Sequence, residues 1–188
     1  MYKRQVIAHD NPYSFILSKQ PTSLLQVSGA KDIVVEMNSL SKSHNMAGWR
    51  MAMVASNPEF ISWIVKVKSN VDSGQFKPMM LAAVKALSLG EDWYRELNAE
   101  YAARREIAME IMNALGCTVD ENQQGLFLWG RIPDDAQSGE WLADKTLYDK
   151  RVFITPGIIF GSQGDRYIRI SLCATRDKMQ QALLRIRN

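Results

Sequence analysis

The sequence predicts an α/β chain in two blocks, with a few strands of a mostly parallel sheet first and an α+β arrangement around one long helix second. Three observations carry this. Strand-like and helix-like patterns alternate along the first block, the order that builds open α/β sheets. The continuous apolar run Ile33-Val34-Val35 suits a strand covered on both faces. From about position 91 to 115, Tyr94, Leu97, Tyr101, Ala108, Ile111 and Leu115 recur at three- and four-residue steps, which marks one long amphipathic helix ended by Gly116.

The remaining elements follow in order. Residues 5–8 are a short β-prone run ending at the polar turn Asp10-Asn11-Pro12. After the strand at 33–35, residues 51–55 form a third short candidate. Asn57-Pro58-Glu59 opens a helix to about residue 69, with Phe60, Ile64 and Val67 on one face. Pro78 opens another, closed near Leu89-Gly90. Past the long helix come a strand at 126–129, a loop at 133–139, a helix at 140–148, and strands at 152–154 and 167–172. Thr175-Arg176-Asp177 caps a last helix carrying Met179, Ala182, Leu183 and Ile186. The block boundary falls at 76/77.

Composition narrows the function classes. The 188 residues, 46% apolar and 23% charged, suit one ordinary or two small water-soluble domains. No segment reads as membrane-spanning, and no secretory leader is visible from Met1-Tyr2-Lys3-Arg4 onward, so a cytoplasmic protein is expected. The net charge of +3 is small and its cations are scattered, which argues against nucleic acid. Cys117 and Cys173 form no CxxC and read as reduced, buried thiols. His9 and His44 stand in no metal-ligand spacing, so no metal site is expected.

The sharpest chemical signal is Ser39-Leu40-Ser41-Lys42-Ser43-His44-Asn45-Met46-Ala47-Gly48-Trp49-Arg50. It follows a predicted buried strand and so lies at a strand's C-terminal end, where open α/β sheets bind ligands. A lysine in such a crevice is a nucleophilic amine once desolvated, able to condense with an aldehyde. Ser39, Ser41 and Arg50 offer hydroxyls and a guanidinium suited to a phosphate, and Gly48 gives the backbone freedom to turn or approach closely. A second constellation, His9-Asp10-Asn11-Pro12-Tyr13, ends the first strand with a carboxylate and a phenol three residues apart. A third, Thr155-Pro156-Gly157, Phe160-Gly161 and Tyr167-Ile168-Arg169-Ile170-Ser171, places Arg169 inside an alternating strand, where its charge needs a partner.

These strings resemble the class I and II aminotransferases, which depend on pyridoxal phosphate (PLP). The first matches every fixed position of the family's S-x-S-K-x-x-x-x-x-G-x-R signature. The others resemble its D-x-x-Y and its PG-x-x-FG with R-[IL]-S. The resemblance implies that Lys42 carries the cofactor, that Ser39, Ser41 and Arg50 face its phosphate, that Asp10 pairs with the pyridine nitrogen and Tyr13 with the 3-oxygen, and that Arg169 grips the substrate α-carboxylate. It implies amino-group transfer between an amino acid and a 2-oxo acid, and a homodimer. Bland readings remain for the rest: His44 as a polar loop residue, Trp49 and Trp129 as core, Arg166 as surface, Met79-Met80 as helix packing, and Gly125-Leu126-Phe127 as a strand without chemistry.

The resemblance covers essentially the whole chain but aligns it with the later part of a family chain. Residues 1–76 then correspond to part of the PLP-binding large domain, with an incomplete sheet, and residues 77–188 to the C-terminal small domain. Only nine residues precede Asp10, too few for the upstream phosphate cup and ring-stacking aromatic that the family has. A truncated piece is therefore expected to bind PLP weakly, to turn over little, and either to self-associate or to lean on the small-domain half for its folding. A PLP-dependent carbon–sulfur β-lyase needs the same lysine, aspartate and arginine, and a non-catalytic effector domain of a PLP-fold regulator is the alternative from outside enzymology.

Overall fold

The first strand, β1 (Ile7–Asp10), runs parallel to β2 (Val34–Ser39), with Ile7 opposite Val34 and Asp10 opposite Met37. The structure, a computed structural model, describes residues 5–188, so the reading of Met1-Tyr2-Lys3-Arg4 lies outside the described residues. Because the pair is parallel, both strands end at one edge, β1 at Asp10 and β2 at Ser39.

β3 (Ala52–Ala55) pairs with the other side of β2 and runs antiparallel, Ser39 opposite Ala52. The sheet order is β1-β2-β3 with one parallel and one antiparallel pairing, which corrects the expectation of a mostly parallel sheet. The connection explains it. Between β2 and β3 the chain forms only the single turn α1 (Leu40–Ser43) and a 3-10 turn at Ala47–Trp49. One helical turn rises about 6 Å, whereas six strand residues span about 20 Å. The chain cannot return to the far end of β2 and re-enters from the edge it left. Nor is β2 covered on both faces: Val34 and Glu36 are buried, Val35 is half-buried and Ile33 lies exposed just before the strand.

Two helices complete this part. The side chain of Asn57 accepts the Phe60 N–H to cap α2 (Pro58–Val71), and Pro58 fills the first helical position, where its missing N–H costs nothing. No residue of α2 is buried. α3 (Lys77–Leu87) presses Ala83 and Ala86 onto Leu40, Met46 and Met51. That packing carries the first compact unit through to Arg95, past the boundary expected at 76/77, and leaves Glu96–Asn188 as the second.

The second unit holds most of α4 (Glu91–Ala114), which ends where Gly116 takes the left-handed φ of 71°. Its sheet is wholly antiparallel, in the order β4 (Thr118–Val119), β5 (Phe127–Arg131), β7 (Tyr167–Ser171), β6 (Thr155–Pro156). α4 buries Tyr101, Ile107, Ala108, Ile111 and Met112. At Gly130 a Cβ would fall 2.7 Å from Met112 Sδ, so the missing side chain is what lets helix and strand approach. α5 (Gly139–Lys150) is capped by Ser138, and α6 (Arg176–Arg187) by Thr175, as its sequence predicts. The strand expected at 152–154 is absent. Arg151 closes α5 in the left-handed conformation, Ile154 turns into the core, and ladder pairing starts only at Thr155.

Candidate active site

The edge shared by the two parallel strands gathers the first set of chemical groups. Asp10 is the last residue of β1, and the next N–H, from Asn11, donates to Met37 O at 2.9 Å, extending the ladder by one bond. Side chains alternate along strands, so Asp10, Met37 and Ser39 share one face and His9 and Glu36 the other. Tyr13 follows in the turn, 37% exposed. Its carbonyl accepts the N–H of Ile16, which is fully buried and anchors that turn.

Ser39 ends β2 in an extended conformation and caps α1, its Oγ accepting the Ser41 N–H at 3.1 Å and donating to Ser41 Oγ at 2.8 Å. The two hydroxyls thus stand together at the mouth of the turn that carries Lys42. Lys42 is half-buried, and among the described residues its ammonium makes no hydrogen bond or ion pair. The turn is held from below. Leu40 N–H donates to Met51 O, Leu40 O accepts from both His44 and Met46 N–H, and Leu40, Met46 and Met51 lie in the cluster under α3. Arg50 is exposed, takes a left-handed φ of 54°, and spends one N–H on Ala47 O at 3.0 Å. Among the described residues the remaining guanidinium donors make no hydrogen bond or ion pair. An added methyl on Gly48 would meet nothing within 4 Å, so no close backbone approach among the described residues requires that glycine.

His44, read as a polar loop residue, takes a structural part. His44 is buried, with Nδ1 2.9 Å from Ser43 Oγ, Nε2 3.4 Å from Tyr94 Oη, and its ring stacked at 6.1 Å on Trp93. Trp93 Nε1 donates to Ser43 O at 2.8 Å, one residue past the lysine. Burial pulls the His44 pKa below the usual histidine value, against a smaller opposing pull from a backbone hydrogen bond at Ala86. Trp49, expected in the core, is 46% exposed.

The arginine of the third motif belongs to the second unit. β7 is flanked by β5 and β6, so Arg169 sits on an interior strand. Its guanidinium carbon lies 4.2 Å from the ring centroid of Phe127 and 4.1 Å from that of Phe160. Both rings are within cation–π reach of the guanidinium, and an arginine's planar N–H fork is suited to meet a carboxylate bidentately. Among the described residues Arg169 has no ion pair. The motif's glycines place Phe160. A Cβ on Gly157 would fall 2.3 Å from Gly164 O, and one on Gly164 would fall 2.1 Å from Gly157 O, so two glycines let these turns touch. Trp129, half-buried, stacks on Tyr167 at 5.2 Å and meets Phe160 edge-on. Arg166, expected at the surface, is half-buried and donates to Pro133 O, Ala136 O and Gln137 O, tying down the 133–139 loop.

The two thiols differ. Cys117 is buried, which pushes its pKa up to about 11, whereas Cys173 is exposed, correcting the expectation that both are buried. No cluster of three potential metal ligands occurs among the described residues. No helix among them is long and apolar enough to cross a membrane.

The sequence profile of the aminotransferase class I and II family matches residues 3–186, nearly the full chain. The chain belongs to the class I and II aminotransferases. The family uses pyridoxal phosphate. Its relatives include the LL-diaminopimelate aminotransferase of Nitratidesulfovibrio vulgaris (strain Miyazaki F), 37% identical over 186 residues, a match covering 97% of this chain and 48% of the relative. The glutamate-pyruvate aminotransferase AlaC of Escherichia coli K12 is 34% identical, over 95% of this chain and 44% of its own. The apo structure of BacF from Bacillus subtilis superposes with a TM-score of 0.87 at 30% identity, over 97% of this chain and 47% of that one. The chain thus spans about half the length of the relatives it matches.

In this aminotransferase chain the donor set fits the cofactor's demands. An amine without a partner among the described residues, a carboxylate on the same sheet edge, a phenol in the next turn, two paired hydroxyls and an exposed guanidinium suit an aldehyde, a pyridine nitrogen, a ring oxygen and a phosphate. Sequence reasoning missed Phe127 and Phe160, which sandwich Arg169. It also missed Glu36, a buried carboxylate contacted by His9, Asn11 and Ser23. Glu36 does leave a trace in the sequence: a charge immediately after the apolar run Ile33-Val34-Val35 that reads as strand core.

Proposed function

We propose that the protein is a PLP-dependent aminotransferase moving an amino group between an amino acid and a 2-oxo acid, with Lys42 as its catalytic residue. The observation that carries this is the half-buried Lys42 amine, free of any partner among the described residues, at the sheet edge where β1 presents Asp10.

Bound PLP supplies an aldehyde that condenses with amines and a ring that draws electrons from the substrate α-carbon. Lys42 Nζ would be the amine that holds the cofactor, and the same Nζ would take the proton from the substrate α-carbon as general base and return it as general acid. The Asp10 carboxylate would hold the proton on the pyridine nitrogen, the Tyr13 hydroxyl would serve the ring 3-oxygen, and Ser39, Ser41 and Arg50 would hold the phosphate. Arg169, close to the rings of Phe127 and Phe160, would orient the substrate through its α-carboxylate.

The first unit corresponds on this reading to part of the cofactor-binding large domain and the second to the C-terminal small domain. The motif order, lysine segment before arginine strand, supports that assignment. A family-length protein would complete the sheet and the phosphate site and would act as a homodimer. The 188-residue chain by itself is expected to bind PLP weakly and to turn over little. Its relatives make LL-diaminopimelate and glutamate the first amino donors to try.

The test is a spectral titration of the chain with PLP, followed by those donors. The proposal expects a visible absorbance that appears with PLP, changes on adding a donor and is missing in Lys42→Ala. An unaltered absorbance in Lys42→Ala would overturn it.

A further inference from the structure

The cofactor reading assigns Asp10 a task that depends on direction, yet Asp10 is the exposed final residue of a four-residue strand. Strand ends open readily. What restrains this one lies on the opposite face of the sheet. His9 Nδ1 sits 3.2 Å from Glu36 Oε2, and Asn11 Nδ2 donates to Glu36 Oε1 at 3.2 Å. The residues immediately before and after Asp10 therefore meet the two oxygens of one carboxylate. Ser23 Oγ donates to Oε2 as well, and Asn11 Nδ2 also reaches Thr22 O at 3.0 Å, so the far end of the loop that follows Tyr13 is tied to the same point.

We propose that Glu36 is a positioning residue for Asp10, gripping both its chain neighbours so that its carboxylate leaves the sheet edge in one fixed direction on the cofactor face. The proposal rests on the role given to Asp10 above. Glu36 is only 8% exposed, in a strand position where an aliphatic side chain would be cheaper to bury. Burial alone would raise its pKa, but the hydrogen bonds from Ser23, Asn11 and His9 together outweigh that and hold the carboxyl below its ordinary value. A buried, ionised, fully partnered carboxylate is a rigid fixture. A strand with alternating faces turns that rigidity into orientation of the residue between the two it holds.

The experiment is a double-mutant cycle on the 188-residue chain, with PLP as the probe and the visible absorbance of bound cofactor as the readout. Amide hydrogen exchange over residues 9–24, measured without PLP, is the second readout. Glu36→Ala is expected to speed exchange across 9–24 and to weaken PLP about tenfold, and Glu36→Gln, which keeps an accepting oxygen, to restore part of both. The loss should disappear when Glu36→Ala is made in an Asp10→Ala background. Asn11→Ala, which breaks one grip and leaves Glu36 paired to Ser23, should weaken PLP in the same Asp10-dependent way if the larger change unfolds the unit. Equal losses with and without Asp10, or unchanged exchange over 9–24, would overturn the proposal. If the unaltered chain never gains the absorbance, the cofactor reading itself fails, and the exchange arm still reports whether the grip exists.

Discussion

Arg169 shows how much of a side chain's work is set by what covers it. Its guanidinium is held between Phe127 and Phe160, each contact contributing about 0.5–1 kcal/mol. Lysine keeps the charge but cannot stack a planar face. Arg169→Lys is therefore expected to lower stability by about 1 kcal/mol, read from the urea midpoint. The pH response is also set by single residues. Glu36 has a folded-state pKa below its free value of 4.5, so its contribution is present above that value and lost as pH falls through the folded one. His44, depressed from 6.5 by burial, follows the same sign: its contribution is present above about 6.5 and lost on acidification. The chain should thus weaken steadily from neutral to acid pH. His44→Gln should flatten the upper part of that curve and Glu36→Gln the lower part, measured as urea midpoint against pH. Lys42, Asp10 and Arg169 stand out in the sequence as candidates because their motifs fix type and spacing. Phe127, His44 and Glu36 do not, since their partners lie far along the chain and only folding brings them together.

Helix boundaries follow local chemistry, and the sequence declares them. Asn57 before Pro58, and Thr175 before Arg176, announce their helices because one side-chain oxygen satisfies an orphaned N–H. Asn57→Ala should cost about 1 kcal/mol without changing the shape of the far-ultraviolet spectrum. Strand direction is not local. The antiparallel β3 follows from how little helix separates it from β2, a length no periodicity reports. β4 and β6, two residues each, are too short to carry an alternating pattern. The turns around Arg169 depend on contact between Gly157 and Gly164. Gly157→Ala should cost about 1–3 kcal/mol through overpacking, whereas Gly48→Ala, with open space around it, should leave stability unchanged. Thermal melts of the two variants side by side check both.

At the scale of the molecule, the two units divide the chemistry: the lysine edge in the first, the sandwiched arginine in the second. The first also presents uncovered apolar surface. Trp63, Val67 and Val71 recur every four residues along α2 at 54%, 67% and 79% exposure, an apolar stripe left exposed among the described residues. The chain is expected to associate with itself, and Val67→Glu with Val71→Glu to shift sedimentation toward the monomer. Two blocks were readable from the sequence, but not where they part, because Ala83 and Ala86 of α3 carry no sign of which core they cover. The account stands on the Lys42 amine. Borohydride reduction of the chain with PLP, followed by proteolysis and mass mapping, locates the amine that took the aldehyde. A pyridoxyl group is expected chiefly on Lys42 and is expected to be lost in Lys42→Ala. A label spread evenly over the lysines, or taken up equally by Lys42→Ala, would contradict it.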